Sequence, residues 1–265
     1  MIHIITINWT TDKWIDIQLD SFKKHIKQPY RVYTRLGNMD LDTYGKHKNK
    51  YDVCIQGNVG EKAHLTTGIK ETIPEVKKIL QPEDSIILID SDAFLIGDIS
   101  SLFDRLKNYP LVAAQELNHD YTFDEKGKNP HPMFYLFKGN LLLTDPELEY
   151  VLTRIILSPN SNWWGGVEAW LSKREYVYSP IIRSNGINLH PLYFAIYEDM
   201  IYHHWAGSRN MITRPDRHNH KTTGKSLEEI AGENHDLSNM VYDQIFNQQE
   251  TFISYLKGNY KGELE

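Results

Sequence analysis

Apolar positions in the first hundred residues follow two alternating rhythms. Residues 2–7 form a nearly unbroken β-prone run. Trp14, Ile15, Leu19, Phe22 and Ile26 then recur at the spacing of one helix face. Thr10 and Thr11 stand where they would cap that helix, and Pro29 follows its end. Short strands are predicted at 30–33 and 51–55, with a polar Gly/Asn/Lys loop between them. Residues 61–80 read as a helix with a break at Pro74. Residues 85–89 are a continuous apolar strand of the kind buried in parallel sheets. Such strand–helix alternation argues for an α/β sheet with helices on its faces.

The middle of the chain is less regular. Strands are predicted at 111–114, 133–137 and 141–143, the last two split by Gly139 and Asn140. A loop rich in Asp, Asn, Gly, His and Pro spans 118–132. Helices are expected at 146–157, with Pro at a tolerated first position, and at 163–171, after a turn on two glycines. Residues 200–205 return to strand, and 208–224 form a polar, basic, His-rich loop. Ser226 and Glu229 make a capping box for an amphipathic helix running to about Leu256. No linker separates two independent units. The expected organisation is one α/β domain over 1–224 and a helical extension over 225–265 packed on it.

Composition narrows the function classes. The chain has 265 residues, 29 Lys and Arg against 35 Asp and Glu, and a net charge of −6. A generic nucleic-acid binder would be basic, so no nucleic-acid partner is expected. No apolar run approaches the ~20 residues of a membrane-crossing helix. The single cysteine, Cys54, can form neither an internal disulfide nor a four-thiolate zinc site. The opening MIHIITIN lacks the pattern of a signal peptide and reads as a first strand. The expected address is the cytoplasm.

The sharpest chemical signal is Ile86-Ile87-Leu88-Ile89-Asp90-Ser91-Asp92. An apolar strand delivers two carboxylates at its C-terminal end, the edge where open α/β sheets bind ligands. Clustered carboxylates repel unless a cation neutralises them. Oxygen ligands favour Mn²⁺ or Mg²⁺, bridging to a phosphate-bearing ligand. The plainer alternative is a solvated turn with an aspartate capping the next helix.

This DxD, together with a strand at the first residues, resembles the GT-A fold of nucleotide-sugar glycosyltransferases. Three segments add to the resemblance. Gly60-Glu61-Lys62-Ala63-His64 is similar to the stretch before the DxD strand of family-2-like bacterial and viral members. Trp164-Gly165-Gly166-Val167-Glu168 is similar to the Trp-Gly-Gly-Glu stretch carrying a catalytic carboxylate in some inverting members. Ile201-Tyr202-His203-His204-Trp205-Ala206-Gly207-Ser208-Arg209 resembles the late His-x-x-Gly segment that returns a metal ligand. Unlike some families, no Asp-rich cluster follows Glu168, and Asn210 stands where a Lys is otherwise found.

The resemblance implies a GT-A (Rossmann-like) mixed, mostly parallel sheet with helices on both faces. It implies a metal-dependent transferase moving a sugar from a nucleoside diphosphate such as UDP to a glycan hydroxyl. Inversion is favoured because a single base suffices for it. Asp92 and His204 would hold Mn²⁺, and Asp90 would meet the donor ribose or a metal-bound water. His203 and His204 point to opposite faces of a regular strand; His204 heads the His-x-x-Gly spacing and is the chosen ligand. Glu168, in the first turn of a helix, would be the base, with Glu116 and Asp120 as fallbacks.

Asn8, Trp9 and Arg35 close the first two strands at the DxD edge. With Ser91, Lys62, His64 and Arg209 they are the candidate donor contacts, although Asn8, Trp9, Arg35, Lys62 and His64 each read more readily, taken alone, as surface residues. Trp163, Trp164 and Trp205 would suit sugar stacking. Arg209, Arg214, Arg217 and Lys221 would either fold over the diphosphate as a lid or form a solvated loop. Two other classes remain: a non-catalytic nucleotide-sugar or glycan-binding module of the same fold, and a DxD phosphatase. The phosphatase pattern places its motif on the first strand with Gly-Thr after it, whereas Ala93-Phe94 follow here. A sugar-nucleotide pyrophosphorylase would carry a Gly-rich loop after the first strand, and Asn8-Trp9-Thr10 is not one.

Overall fold

The computed structural model describes residues 1–61, 65–115, 130–153, 165–184, 194–204 and 224–258. A seven-stranded sheet runs in the order β3-β2-β1-β4-β7-β6-β8. Its strands are β1 (Ile2–Trp9), β2 (Tyr30–Gly37), β3 (Val53–Gln56), β4 (Ser85–Asp90), β6 (Leu111–Gln115), β7 (Pro130–Lys138) and β8 (Ser179–Ile181). Only β7 runs against the others, pairing antiparallel with β4 and β6. A second sheet, β5-β10-β9, joins Ala93–Leu95, Ile201–His203 and Ala195–Tyr197. The mixed, mostly parallel architecture is the one the GT-A resemblance implies.

Alternating side chains divide the core. Ile4, Val32, Leu36, Ile87, Ile89 and Leu136 face one side, with Ile15 and Phe22 of α1 (Ile15–His25) and Leu102 of α4 (Ser100–Arg105). Ile5, Ile7, Ile86, Leu88 and Tyr135 face the other. That face is covered by α3 (Leu65–Lys77), α6 (Pro146–Leu152) and α7 (Gly165–Lys173). Gly68 lets α3 approach β1 closely, because a Cβ there would lie 2.5 Å from the Ile7 side chain.

The last helix, α8 (Leu227–Leu256), starts on the expected capping box: Glu229 N–H donates to Ser226 Oγ at 3.2 Å, and Ser226 N–H donates to Glu229 Oε2 at 2.8 Å. Its Val241, Ile245, Phe252 and Leu256 pack on Trp14, Phe94 and Tyr202, covering the outer face of the small sheet.

Several local expectations are corrected. The polar stretch after β2 holds a helix, α2 (Leu41–His47), capped by Asp40. Helix α3 continues through Pro74 to Lys77 instead of breaking there. Residues 141–143 are not a strand but part of α5 (Gly139–Thr144), since a three-leucine run carries no period that separates strand from helix. Trp14, not a threonine, occupies the N-cap of α1, and Thr11 Oγ1 accepts instead from Lys13 N–H.

Candidate metal and donor site

Strand β4 ends at Asp90, level with Ile7 of β1, which is itself level with Arg35 of β2. The turn after β4 is pinned from two sides. From α1, Gln18 Nε2–H donates to the carbonyls of Asp90, at 2.7 Å, and Ala93, at 2.6 Å. From the strand end of β10, His204 N–H donates to the Asp92 carbonyl at 3.0 Å. The chain then reverses into β5, whose Ala93 pairs with His203.

This pairing aims the His203 ring at the two carboxylates. Its Nε2 lies 3.7 Å from Asp90 Oδ2 and 3.6 Å from Asp92 Oδ1. One ligand atom from each of the three residues falls within 4.8 Å of the others. Ligands about 2.1 Å from an octahedral ion at right angles stand about 3 Å apart, so small side-chain adjustments close the set on one cation. Burial pushes the Asp90 carboxyl up to about 7, the Asp92 carboxylate adds to that, and His203 opposes it. Two clustered carboxylates and one imidazole are hard and borderline donors suited to Mn²⁺ or Mg²⁺.

The expected ligand His204 sits elsewhere, and this expectation is corrected. Its ring is fully buried between Trp14, at 4.5 Å between centroids, and Phe194, at 5.1 Å. Its Nδ1 bonds the Tyr202 hydroxyl and its Nε2 the Ser238 hydroxyl, each at 3.0 Å. Burial drives its pKa down to about 3. Nε2 thereby fastens the end of β10 to α8, while Nδ1 is held by the strand's own Tyr202.

A second histidine beside the cluster carries no sequence signal. His131 is the second residue of β7, with its ring centroid 5.7 Å from that of His203. Burial lowers its pKa to about 3, with nearby His203 adding to the effect and Asp92 opposing it.

Glu168 lies in the first turn of α7 and is half-buried. The two glycines before it belong to that turn instead of preceding the helix. Gly166 and Val167 line an apolar pocket with Ile7, Leu88, Ile89 and Asp90, which places the start of α7 beside the end of β4. Glu116 and Asp120 lie outside the described residues, as do Lys62, His64, Trp163, Trp164, Trp205, Arg209, Arg214, Arg217 and Lys221.

Of the nucleotide candidates, Asn8 and Arg35 are already engaged. Asn8 is fully buried and donates from Nδ2 to Thr34 Oγ1, at 3.0 Å, and Tyr51 Oη, at 3.3 Å. Arg35 is buried and forks onto Glu61, Nη1 to Oε1 at 2.5 Å and Nη2 to Oε2 at 2.6 Å, while its Nε donates to Glu71 Oε2 at 2.6 Å. The pair crosses bare backbone: a Cβ at Gly57 would lie 2.2 Å from Glu61 Oε1, and one at Gly37 would lie 2.8 Å from both Arg35 Nη1 and the Trp9 ring. Trp9 is half-buried on that platform, and Ser91 is 9 % exposed.

Neither a protein-family model nor a curated protein matches the sequence. Solved structures do. The bifunctional glycosyltransferase WbbM is 11% identical, with a TM-score of 0.45 over 67% of this chain and 38% of its own. The mannosyltransferase PcManGT of Pyrobaculum calidifontis, solved with GDP-Man and Mn²⁺, is 10% identical, with a TM-score of 0.44 over 68% of this chain and 54% of its own. The glycosyltransferase GlyE of Streptococcus pneumoniae TIGR4 is 11% identical, with a TM-score of 0.48 over 99% of this chain and 65% of its own. The chain therefore spans less than two thirds of the length of each of these three proteins.

Proposed function

We propose that this chain is a metal-dependent glycosyltransferase that moves a sugar from a nucleoside-diphosphate sugar to a glycan hydroxyl with inversion. The observation that carries the reading is the convergence of Asp90, Asp92 and His203 at the end of a buried central strand. Asp90, Asp92 and His203 would hold Mn²⁺ or Mg²⁺. When bound, the ion supplies positive charge that stabilises a departing diphosphate.

The chain's own groups account for the other requirements. Gln18 and the His204 amide fix the turn that presents the carboxylates. The Trp9–Gly37 platform would receive the nucleotide base, with the Arg35–Glu61 pair stiffening it from below. Lys62, His64, Ser91 and Arg209 remain donor contacts in this reading. Glu168 would take the acceptor hydroxyl's proton onto a carboxylate oxygen as the hydroxyl oxygen attacks the anomeric carbon and the bond to diphosphate breaks. Residues 1–224 would form the transferase unit, with 225–265 packed on it. No helix among the described residues is long and apolar enough to cross a membrane, and the proposed address is the cytoplasm.

The test is turnover. Purified protein is incubated with a panel of UDP- and GDP-sugars and a mixture of glycan acceptors, with Mn²⁺ or with EDTA. Metal-dependent release of free nucleoside diphosphate and a glycosylated product is expected. Nucleotide-sugar binding without transfer or hydrolysis would favour the non-catalytic binding module.

A further inference from the structure

Strand β7 does not alternate regularly. Tyr135 and Phe137 pack on the α3 face, and Phe134 and Leu136 on the α1 face. Continuing that alternation would return Met133 to the α3 face. Met133 instead joins Phe134 on the α1 face. The pairing with β6 shows the cause: Ala113 pairs with Tyr135, but the next residue, Ala114, pairs with His131. The bulge inverts the order of faces beyond it, so Pro132 lines the apolar pocket on the α3 side. His131 shares the inverted parity of Met133. It therefore comes to the side of the sheet on which His203 stands in register with Ala93 and Ala195, both on the α1 face. Bulges beside sites commonly re-aim one side chain in this way.

The ring's orientation is fixed by its own strand. Met133 N–H donates to His131 Nδ1 at 3.2 Å. A nitrogen that accepts this bond carries no proton, so in the neutral ring the proton is on Nε2. Nε2 is the nitrogen further from the strand, and a protonated nitrogen donates a hydrogen bond but does not ligate a metal. His131 accordingly stands outside the ligand set formed by Asp90, Asp92 and His203.

We propose that His131 is a donor-substrate contact, its Nε2–H donating a hydrogen bond to a diphosphate oxygen of the nucleotide held at the Asp90–Asp92–His203 cluster. The inference rests on the proposed nucleotide-sugar reading of that cluster.

Asparagine and glutamine separate the two ring nitrogens. A glutamine amide reaches about as far as Nε2, whereas an asparagine amide reaches only as far as Nδ1. Binding of Mn²⁺ alone, and of UDP and GDP in saturating Mn²⁺, is measured by calorimetry for the wild type and for His131→Ala, His131→Asn and His131→Gln. Circular dichroism confirms folding. The expected result is Mn²⁺ affinity within about threefold throughout, and nucleotide affinity reduced roughly ten- to hundredfold in the Ala and Asn variants, the range of a hydrogen bond to a charged group. The Gln variant should recover most of that loss. Wild-type nucleotide affinity in a folded His131→Ala variant overturns the His131 assignment while leaving the nucleotide site standing. Loss of Mn²⁺ binding on a par with Asp92→Asn also overturns it, making His131 a ligand. A wild type that binds Mn²⁺ but neither nucleotide overturns the underlying reading as well.

Discussion

His203 Nε2 stands 3.6 Å from Asp92 Oδ1, while the next residue along the chain, His204, turns its ring the other way into a fully buried bond with Ser238. Two adjacent histidines thus serve opposite sides of one short strand. One faces the carboxylate cluster, and the other ties that strand to α8.

The two histidines should separate cleanly on substitution. His203→Ala is expected to cut Mn²⁺ affinity by tenfold or more while the protein stays folded. His204→Ala removes a buried ring and leaves the Tyr202 and Ser238 hydroxyls unpaired, costing about 2–4 kcal/mol. Its folded fraction should still bind Mn²⁺ nearly as well as the wild type. Calorimetry paired with thermal melts checks both, and the reverse ranking would return the ligand role to His204.

Ser238→Ala probes the same fastening more gently. It leaves His204 Nε2 without its partner inside the core, which should cost about 1–3 kcal/mol. A melting temperature equal to the wild type would show that the α8 contact rests on apolar packing alone.

Which parts of this arrangement the sequence reveals follows from what periodicity encodes. Strands β1, β4 and β6 are legible because each is largely an apolar run, and β4 announces its carboxylates at its end. The face taken by His203 is not legible: β10 is only three residues long, and its orientation is set by pairing with β5, a strand too short to register as a pattern. The His-x-x-Gly spacing therefore points to His204, the neighbour whose ring lies between Trp14 and Phe194 and bonds Ser238. His131 is hidden for a related reason, since a register shift between two strands leaves no trace in either strand's composition. Arg35 was legible as an edge cation, but Glu61 and Glu71 reach it from other segments, so its engagement depends on tertiary contacts.

Arg35 gives a pH prediction. Its hydrogen bonds are the main reason the Glu61 carboxyl is held below its ordinary value of 4.5, against opposing burial. A carboxyl whose pKa is lowered by folding contributes stability above its unfolded pKa and loses it as pH falls through the folded one. Arg35→Met should therefore lower stability by about 1–3 kcal/mol at pH 7 and flatten the fall in melting temperature below pH 4.5. An unchanged acid slope in melts from pH 6 to 3 would contradict the assigned role of the pair.

Glu168→Gln is nearly isosteric and should leave metal and donor binding within about twofold. Transfer should slow by roughly two to four decades, the usual worth of a positioned base. A variant with near-full transfer would remove Glu168 from the reaction, and one that loses donor binding would make it a donor contact.

The central claim is that one cation, held by Asp90, Asp92 and His203, couples this sheet edge to a nucleoside diphosphate. Its most direct test is titration of UDP and GDP into the wild type and Asp92→Asn, each with Mn²⁺ and with EDTA. The account predicts that one or both nucleotides bind the wild type at least tenfold more tightly in Mn²⁺, and that Asp92→Asn abolishes the difference. Equal affinity in Mn²⁺ and in EDTA would contradict it.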